Sequence, residues 1–421
     1  MADDGQARAT PLTVLSIVGT RPEAVKMAPV IRALARQAGI RSLVCATAQH
    51  REMLDQVFDL FAIRPDVDLN LMQPNQTLPG LTALALTRVS QVLQDLQPDL
   101  VLAQGDTTTV MVAGLASFYA QIPMGHVEAG LRTHRRYSPF PEEMNRRLVA
   151  SLASLHFAPT SRAVAALQAE GVSAEDIFLT GNTVVDALQS IATQPFEPDP
   201  ALRTRLEQTP GRLLLVTAHR RENFGAPFVA ICLALRQIVE RNPDVTLVYP
   251  VHLNPQVREP VMRILAGHER IHLLEPVEYR TLVYLLKRCW LVLTDSGGIQ
   301  EEAPVLGKPV LVLRRDTERP EGIESGNARL VGTEQADIVR ATERLLHDES
   351  AYQAMAQAAS PYGDGRAARR IVDAIVARYL NTEYRVQSTK YKVQSTKCRA
   401  EIRVRNRKSQ IANRKSAIIK R

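Results

Sequence analysis

Short, near-continuously apolar runs alternate with longer amphipathic stretches along most of this chain, and the alternation runs through twice. Leu12–Val18, Ser42–Thr47, Asp99–Ala103 and Met124–Val127 read as buried strands bounded by Gly, Pro or polar turns. Helical patterns fill the gaps at 22–38, 51–61, 79–97 and 107–120. A strand–helix–strand rhythm predicts a parallel sheet covered on both faces. A polar stretch from Gln194 to Pro210 follows, with Pro195, Pro198, Pro200 and Pro210 close together. The rhythm then restarts with Arg212–Thr217, Val245–Val251, Ile271–Leu274, Trp290–Thr294 and Pro309–Leu313. The chain therefore reads as α/β, with a first unit over 11–180 and a second over 181–363. Residues 364–380 form a terminal helix with Ile371 and Ile375 at helical spacing. In such architectures ligands sit in the cleft at the carboxyl ends of the strands.

Charge first suggests a nucleic-acid partner, since the net formal charge of the 421 residues is +8. Its distribution removes that reading. From Tyr384 to Arg421 the chain holds thirteen Lys or Arg and a single acid, Glu401, so the rest is mildly acidic. The same tail repeats YRVQSTK as YKVQSTK and NRKS as NRKS, each seven residues on, without an apolar seam for a coiled coil. Residues 381–421 are expected to be a disordered basic appendage; weak attraction to anionic polymers is the functional alternative.

No apolar run approaches the roughly 20 residues that cross a bilayer. The start, Met1-Ala-Asp-Asp-Gly, has neither a basic nor an apolar leader region. Cys45, Cys232, Cys289 and Cys398 are scattered, with no metal-ligand spacing. The expectation is a cytoplasmic protein without a metal or cofactor.

Five strand ends carry candidate chemistry. Gly19-Thr20-Arg21-Pro22 follows the first strand and opens a helix, placing Arg21 at the sheet edge and Lys26 about one turn along. Two cations beside a helix start suit phosphate or carboxylate, although a capped helix with solvated bases has the same pattern. Asp106 closes the third strand, Glu128 the fourth, and Glu142 and Glu143 open a helix soon after. Each acid alone could cap a helix. Three acidic segments converging on one cleft suit proton removal and return on opposite sides of a ligand. In the second half His219 stands at a strand end beside Arg220 and Arg221. Thr294-Asp295-Ser296-Gly297-Gly298 then runs from strand into helix, where backbone N–H groups can meet a diphosphate and Glu302 can accept from ribose hydroxyls. Neither a G-x-G-x-x-G fingerprint nor a Walker loop is present, so a dinucleotide redox enzyme and a P-loop NTPase find no support.

The segments GTRPEAVK (19–26), TAQHREMLDQV (47–57), GDTTT (105–109), HVEAGLRT (126–133), SPFPEEMNRR (138–147), GNTVVDAL (181–188), HRRENFG (219–225), YPVHLNPQVREP (249–260), LTDSGGIQEEAPVLGKPVLVL (293–313), TERPEG (317–322) and SPYGDG (360–365) together resemble the bacterial non-hydrolysing UDP-N-acetylglucosamine 2-epimerases. The resemblance runs from about Leu12 to Leu380 in consistent order. It implies a GT-B fold of two Rossmann-like domains, with the last helix crossing back to the first. It also implies interconversion of UDP-GlcNAc and UDP-ManNAc through elimination of UDP to 2-acetamidoglucal and re-addition. By motif, Asp106, Glu128, Glu142 and His219 resemble the family's catalytic residues. Arg21, Lys26, Ser296, Gly297, Gly298, Glu302 and Arg319 would hold substrate, with uracil against the backbone near Val277. Gln49, His50, Glu222 and His252 match a region where many bacterial members bind a second UDP-GlcNAc as activator. A homodimer is a further family expectation, and a GT-B glycosyltransferase using a UDP-sugar donor is the nearest alternative.

Overall fold

The computed structural model describes residues 10–47, 51–72, 76–207 and 211–380. Two parallel sheets form its framework. The first takes β1 (Leu12–Val18), β2 (Ile40–Ala46), β3 (Val67–Asp68), β4 (Leu100–Gln104), β5 (Met124–Val127), β6 (Leu155–Ala158) and β7 (Ile177–Leu179) in the order 3-2-1-4-5-6-7. The second takes β8 (Arg212–Thr217), β9 (Val245–Pro250), β10 (Ile271–Leu274), β11 (Leu291–Thr294), β12 (Val310–Val312) and β13 (Ala328–Leu330) in the order 10-9-8-11-12-13. All neighbouring strands run parallel. Helices on both faces explain the apolar runs: all five residues of β4 are buried, as are nearly all of β1. The strand order reverses between β1 and β4 in one sheet and between β8 and β11 in the other. These two switch points aim their loops into the cleft between the lobes.

The strands expected from sequence lie within one or two residues of those observed, which is the ordinary uncertainty of strand ends. Four strands were not anticipated. β3, β7 and β13 are two or three residues long, and β6 is a four-residue strand with His156 inside it, so none carries a usable periodicity. The polar stretch Gln194–Pro210 also holds an unassigned helix, Pro200–Glu207. Pro200 occupies the first helical position, where its missing N–H costs nothing. The repeat tail lies outside the described residues.

Helix Arg21–Arg36 begins with a capping box. Thr20 accepts from the Glu23 backbone N–H, and the Glu23 side chain accepts from the backbone of Thr20 and Gly19. Val30 and Leu34 on its inner face share an apolar core with Ile371, Val372 and Ile375 of the terminal helix Ala367–Tyr379. Burial of each such side chain stabilises the fold by about 1.5–3 kcal/mol. That terminal helix is capped from outside, since Asp186 of helix Thr183–Ala192 accepts from the backbone N–H groups of Ala367 and Ala368 at 3.1 and 2.9 Å. On the far side of the cleft the lobes are tied by Thr160 donating to Glu321 at 2.8 Å and by an exposed Arg135–Asp316 ion pair at 2.6 Å.

Candidate active site

The cleft at the two switch points holds a cavity of ≈ 540 Å³. Arg21, Lys26, Asp106, Glu128 and Glu142 line it from the first lobe; His219, Val277, Ser296, Gly297, Gly298, Glu302 and Arg319 line it from the second. The residues expected for catalysis and for substrate thus share one space.

Glu128 follows β5 with φ 64°, a left-handed conformation that turns its side chain back into the cleft. Lys26 donates to both its oxygens at 2.7 and 2.8 Å, Asn182 to Oε1 at 3.2 Å, and Gln104 to Oε2. Burial pushes the Glu128 carboxyl up and the Lys26 ammonium opposes that shift. Lys26 also reaches across the lobes to Glu301 at 3.1 Å. Burial alone would lower the lysine, but Glu128 and Glu301 outweigh it and hold its pKa above the ordinary value.

Asp106 sits at the carboxyl end of β4, where Arg146 grips it through Nη2 at 2.7 Å and Nε at 3.0 Å. Helix Glu142–Leu152 supplies both Arg146 and Glu142. The two adjacent acids of that helix separate by task. Glu143 is fully buried and accepts from the backbone N–H groups of Thr133 and His134 at 3.0 and 3.1 Å, which fixes the loop after Glu128. Glu142 faces the cavity, and its buried Oε2 has no partner. Burial, with repulsion from Asp106, raises its carboxyl above the usual range.

Across the cleft His219 is positioned by its backbone. Its N–H donates to the buried Asp295 at 3.0 and 2.9 Å, while Arg220 N–H and Asn223 Nδ2 donate to the same carboxylate at 2.8 and 3.0 Å. The His219 ring stacks on His252 with centroids 5.4 Å apart. Burial lowers the His219 pKa, and His252 and Arg220 add to that effect, so the imidazole is neutral at pH 7 and can accept a proton.

Ser296, Gly297 and Gly298 lead from β11 into helix Gly297–Val305. The two glycines have different reasons. A Cβ on Gly297 would lie 2.7 Å from the Arg319 guanidinium, so a side chain here must push Arg319 away from Glu301 and Glu318. At Gly298 a Cβ would meet only Glu302 Oε1, at 3.9 Å. Glycine weakens a helix by about 1 kcal/mol relative to Ala. A site that tolerates this without a steric need inside the protein leaves its backbone open to a ligand. Next along the helix Glu301 points inward and Glu302 faces the cavity. Burial, with Glu301 beside it, pushes the Glu302 carboxyl up to about 8, and its Oε2 has no partner.

Arg319 lies beneath this helix start, donating to Glu301 at 2.7 Å and Glu318 at 2.6 Å. Burial would raise Glu318, but Arg319, Arg314 and Arg220 outweigh it and hold its carboxyl well below the ordinary range. Val277 enters through its backbone, whose carbonyl accepts from Arg21 Nη2 at 3.2 Å across the cleft.

Of the four residues assigned to an activator, His252 and Glu222 are described, and they line adjacent cavities. His252 lines the main cavity, whereas Glu222 lines a neighbouring one of ≈ 480 Å³ and pairs with Arg314 at 2.5 Å. Gln49 and His50 lie outside the described residues. Among the described residues no cluster of three or more His, Cys, Asp or Glu has a metal-binding arrangement, and no helix is long and apolar enough to cross a membrane.

Comparison with known proteins places this arrangement. A family model described as UDP-N-acetylglucosamine 2-epimerase matches residues 32–376. The chain belongs to that family. The Salmonella typhimurium UDP-N-acetylglucosamine 2-epimerase is 52% identical over 369 residues, covering 86% of this chain and 98% of the relative. A solved structure from Listeria monocytogenes superposes with a TM-score of 0.84 at 51% identity, covering 88% of this chain and 97% of that one. The UDP-GlcNAc 2-epimerase of Neisseria meningitidis, solved bound to UDP-GlcNAc, superposes with a TM-score of 0.81 at 45% identity, covering 87% and 100%. Two α/β domains with parallel sheets facing a cleft are the GT-B architecture of this family.

Sequence reasoning missed the residues that hold the others. Arg146, Asp295 and Glu301 each bind a neighbour now known to line the cavity. Their partners are 40, 76 and 275 positions away, a distance no local pattern spans. Glu23 was within reach, because Thr20-x-x-Glu23 is the sequence form of a capping box.

Proposed function

We propose that this chain interconverts UDP-GlcNAc and UDP-ManNAc by reversible elimination of UDP. The supporting observation is a single cavity that joins an unobstructed helix start on one lobe to three carboxylates on the other. C2 of the sugar is not alpha to a carbonyl, so its proton is not acidified by enolisation. A base takes that proton while the C1–O bond breaks, its electron pair leaves with UDP, and a C1=C2 double bond remains. UDP then adds to C1 while an acid returns a proton to the other face of C2. Each half-reaction conserves its proton, and no oxidant is required.

In this reading Ser296, Gly297 and Gly298 hold the diphosphate through helix N–H groups, and Glu302 accepts from the ribose. Arg21, Lys26 and Arg319 supply positive charge near the departing UDP, and His219 faces it as a neutral base. Asp106, Glu128 and Glu142 carry the proton transfers, and burial raises the Glu142 carboxyl, whose Oε2 is unpartnered, above the usual range. The chain takes the domain division 11–180 with the terminal helix and 181–363, works as a cytoplasmic homodimer, and supplies precursors for surface polysaccharide. A second UDP-GlcNAc activates it beside His252 and Glu222.

Incubation with UDP-GlcNAc in D₂O, with no acceptor present, tests the central reading. UDP-ManNAc should appear with deuterium at C2. Transfer that waits for an acceptor would instead identify a glycosyltransferase, and release of free ManNAc a hydrolase. Rates from UDP-ManNAc alone, compared with rates after adding UDP-GlcNAc, test the activator; no stimulation removes it.

A further inference from the structure

Tyr279 opens helix Tyr279–Arg288, two residues after Val277. It is 5% exposed, lines the main cavity, and its ring belongs to the apolar core that also holds Val25 and Val283. Its hydroxyl has no hydrogen-bond partner. A buried hydroxyl left unpaired costs about 1–3 kcal/mol, so tyrosine here is worse for the free protein than phenylalanine would be. The hydroxyl lies within electrostatic reach of Glu302 and Arg21. Glu302 has an unpartnered Oε2 and stands beside Gly298, where the backbone is open. The same cavity wall thus carries the open backbone at Gly298, the Glu302 carboxyl 3.9 Å from a Cβ placed there, and the Tyr279 hydroxyl. Arg21 has already taken the carbonyl of Val277.

We propose that Tyr279 binds the nucleoside through a hydrogen bond from its hydroxyl to the ribose, sharing the vicinal diol with Glu302. The inference rests on the UDP-sugar reading of the cleft. A diphosphate on the Gly298 N–H groups puts its sugar-linked end toward the carboxylates of the first lobe and its ribose toward Glu302. An unpaired donor on the same wall, within electrostatic reach of Glu302, is the Tyr279 hydroxyl. A phenol donates one bond and accepts another, so it complements Glu302, whose unpaired oxygen can accept.

Isothermal titration of the full chain and of Tyr279→Phe with UDP, 2′-deoxy-UDP and 3′-deoxy-UDP tests this. The wild type should prefer UDP to both analogues. In the variant UDP should bind about five- to tenfold more weakly, the loss of one hydrogen bond. Its preference for UDP over one of the two analogues should vanish, while Tm without ligand is unchanged or higher. Unchanged UDP affinity overturns the proposal, as does an equal loss for all three ligands. A lower Tm of the free variant also overturns it, because the hydroxyl would then already be bonded within the protein. Failure of the wild type to bind UDP overturns the functional reading together with this one. Normal wild-type binding with an indifferent variant overturns only the role of Tyr279.

Discussion

Glu128 and Glu302 are both buried carboxylates on the same cavity, one from each lobe, and their surroundings are opposite. Glu128 is surrounded by donors from Lys26, Gln104 and Asn182. Glu302 has an oxygen with no partner, and its carboxyl is pushed up to about 8. Two walls of one cleft are therefore built to different rules. The first lobe fixes Glu128 and Asp106 in place before any ligand arrives, leaving only Glu142 with an unpaired oxygen, and such fixing is the preorganisation that acid–base chemistry needs. The second lobe leaves groups unsatisfied at a cost in stability, which is how a site keeps free energy in reserve for a ligand.

The largest effect should come from disturbing the preorganised wall. Glu128→Gln or Asp106→Asn should lower turnover by about 10²-fold or more, measured as UDP-ManNAc formation. Unchanged turnover would remove those residues from the chemistry. The two glycines of the second wall should then part company. Gly297→Ala drives a methyl into Arg319 and should destabilise the protein by about 1–3 kcal/mol in denaturant unfolding. Gly298→Ala meets no protein atom closer than 3.9 Å and should leave stability unchanged or raise it by up to about 1 kcal/mol. It should nevertheless weaken UDP binding about tenfold, because the methyl occupies the approach to the helix N–H groups. Equal effects of the two alanines on stability and on binding would refute the division between them.

Glu302 gives the contrast a pH signature. Its folded carboxyl titrates at about 8 and its unfolded one near 4.5, so between these values the folded state binds the extra proton. Stability from this group is therefore full below about pH 4.5 and is lost as pH rises toward 8. Glu302→Gln should flatten the fall in Tm over that range relative to the wild type. A Tm profile with the same slope in both would show that Glu302 is ionised throughout. The smallest effect belongs to the outer tie between the lobes. Arg135→Ala removes an exposed ion pair and should change unfolding free energy by about 1 kcal/mol or less, less still at high salt.

Periodicity and end signals made most of the framework legible. β1, β5, β8 and β10 were readable to the residue, because strands buried on both faces leave apolar runs between turn residues. The helix within the Pro-rich stretch went unassigned for a local reason, since proline at a first helical position looks the same in sequence as proline in a loop. The cleft residues were legible because they sit where strands stop, and the strand order then reverses at those same points.

Chain order alone thus determined which side chains stand at the strand ends, because that depends only on neighbours along the backbone. It could not say how those side chains are held. The bonds of Arg146 to Asp106, Asp295 to the backbone of His219, and Glu301 to Lys26 join residues tens to hundreds of positions apart. Hydrogen bonds act over about 3 Å, so only the tertiary fold of each lobe and, for Lys26 and Glu301, the packing of one lobe against the other decided which acids are caged and which remain open to a ligand.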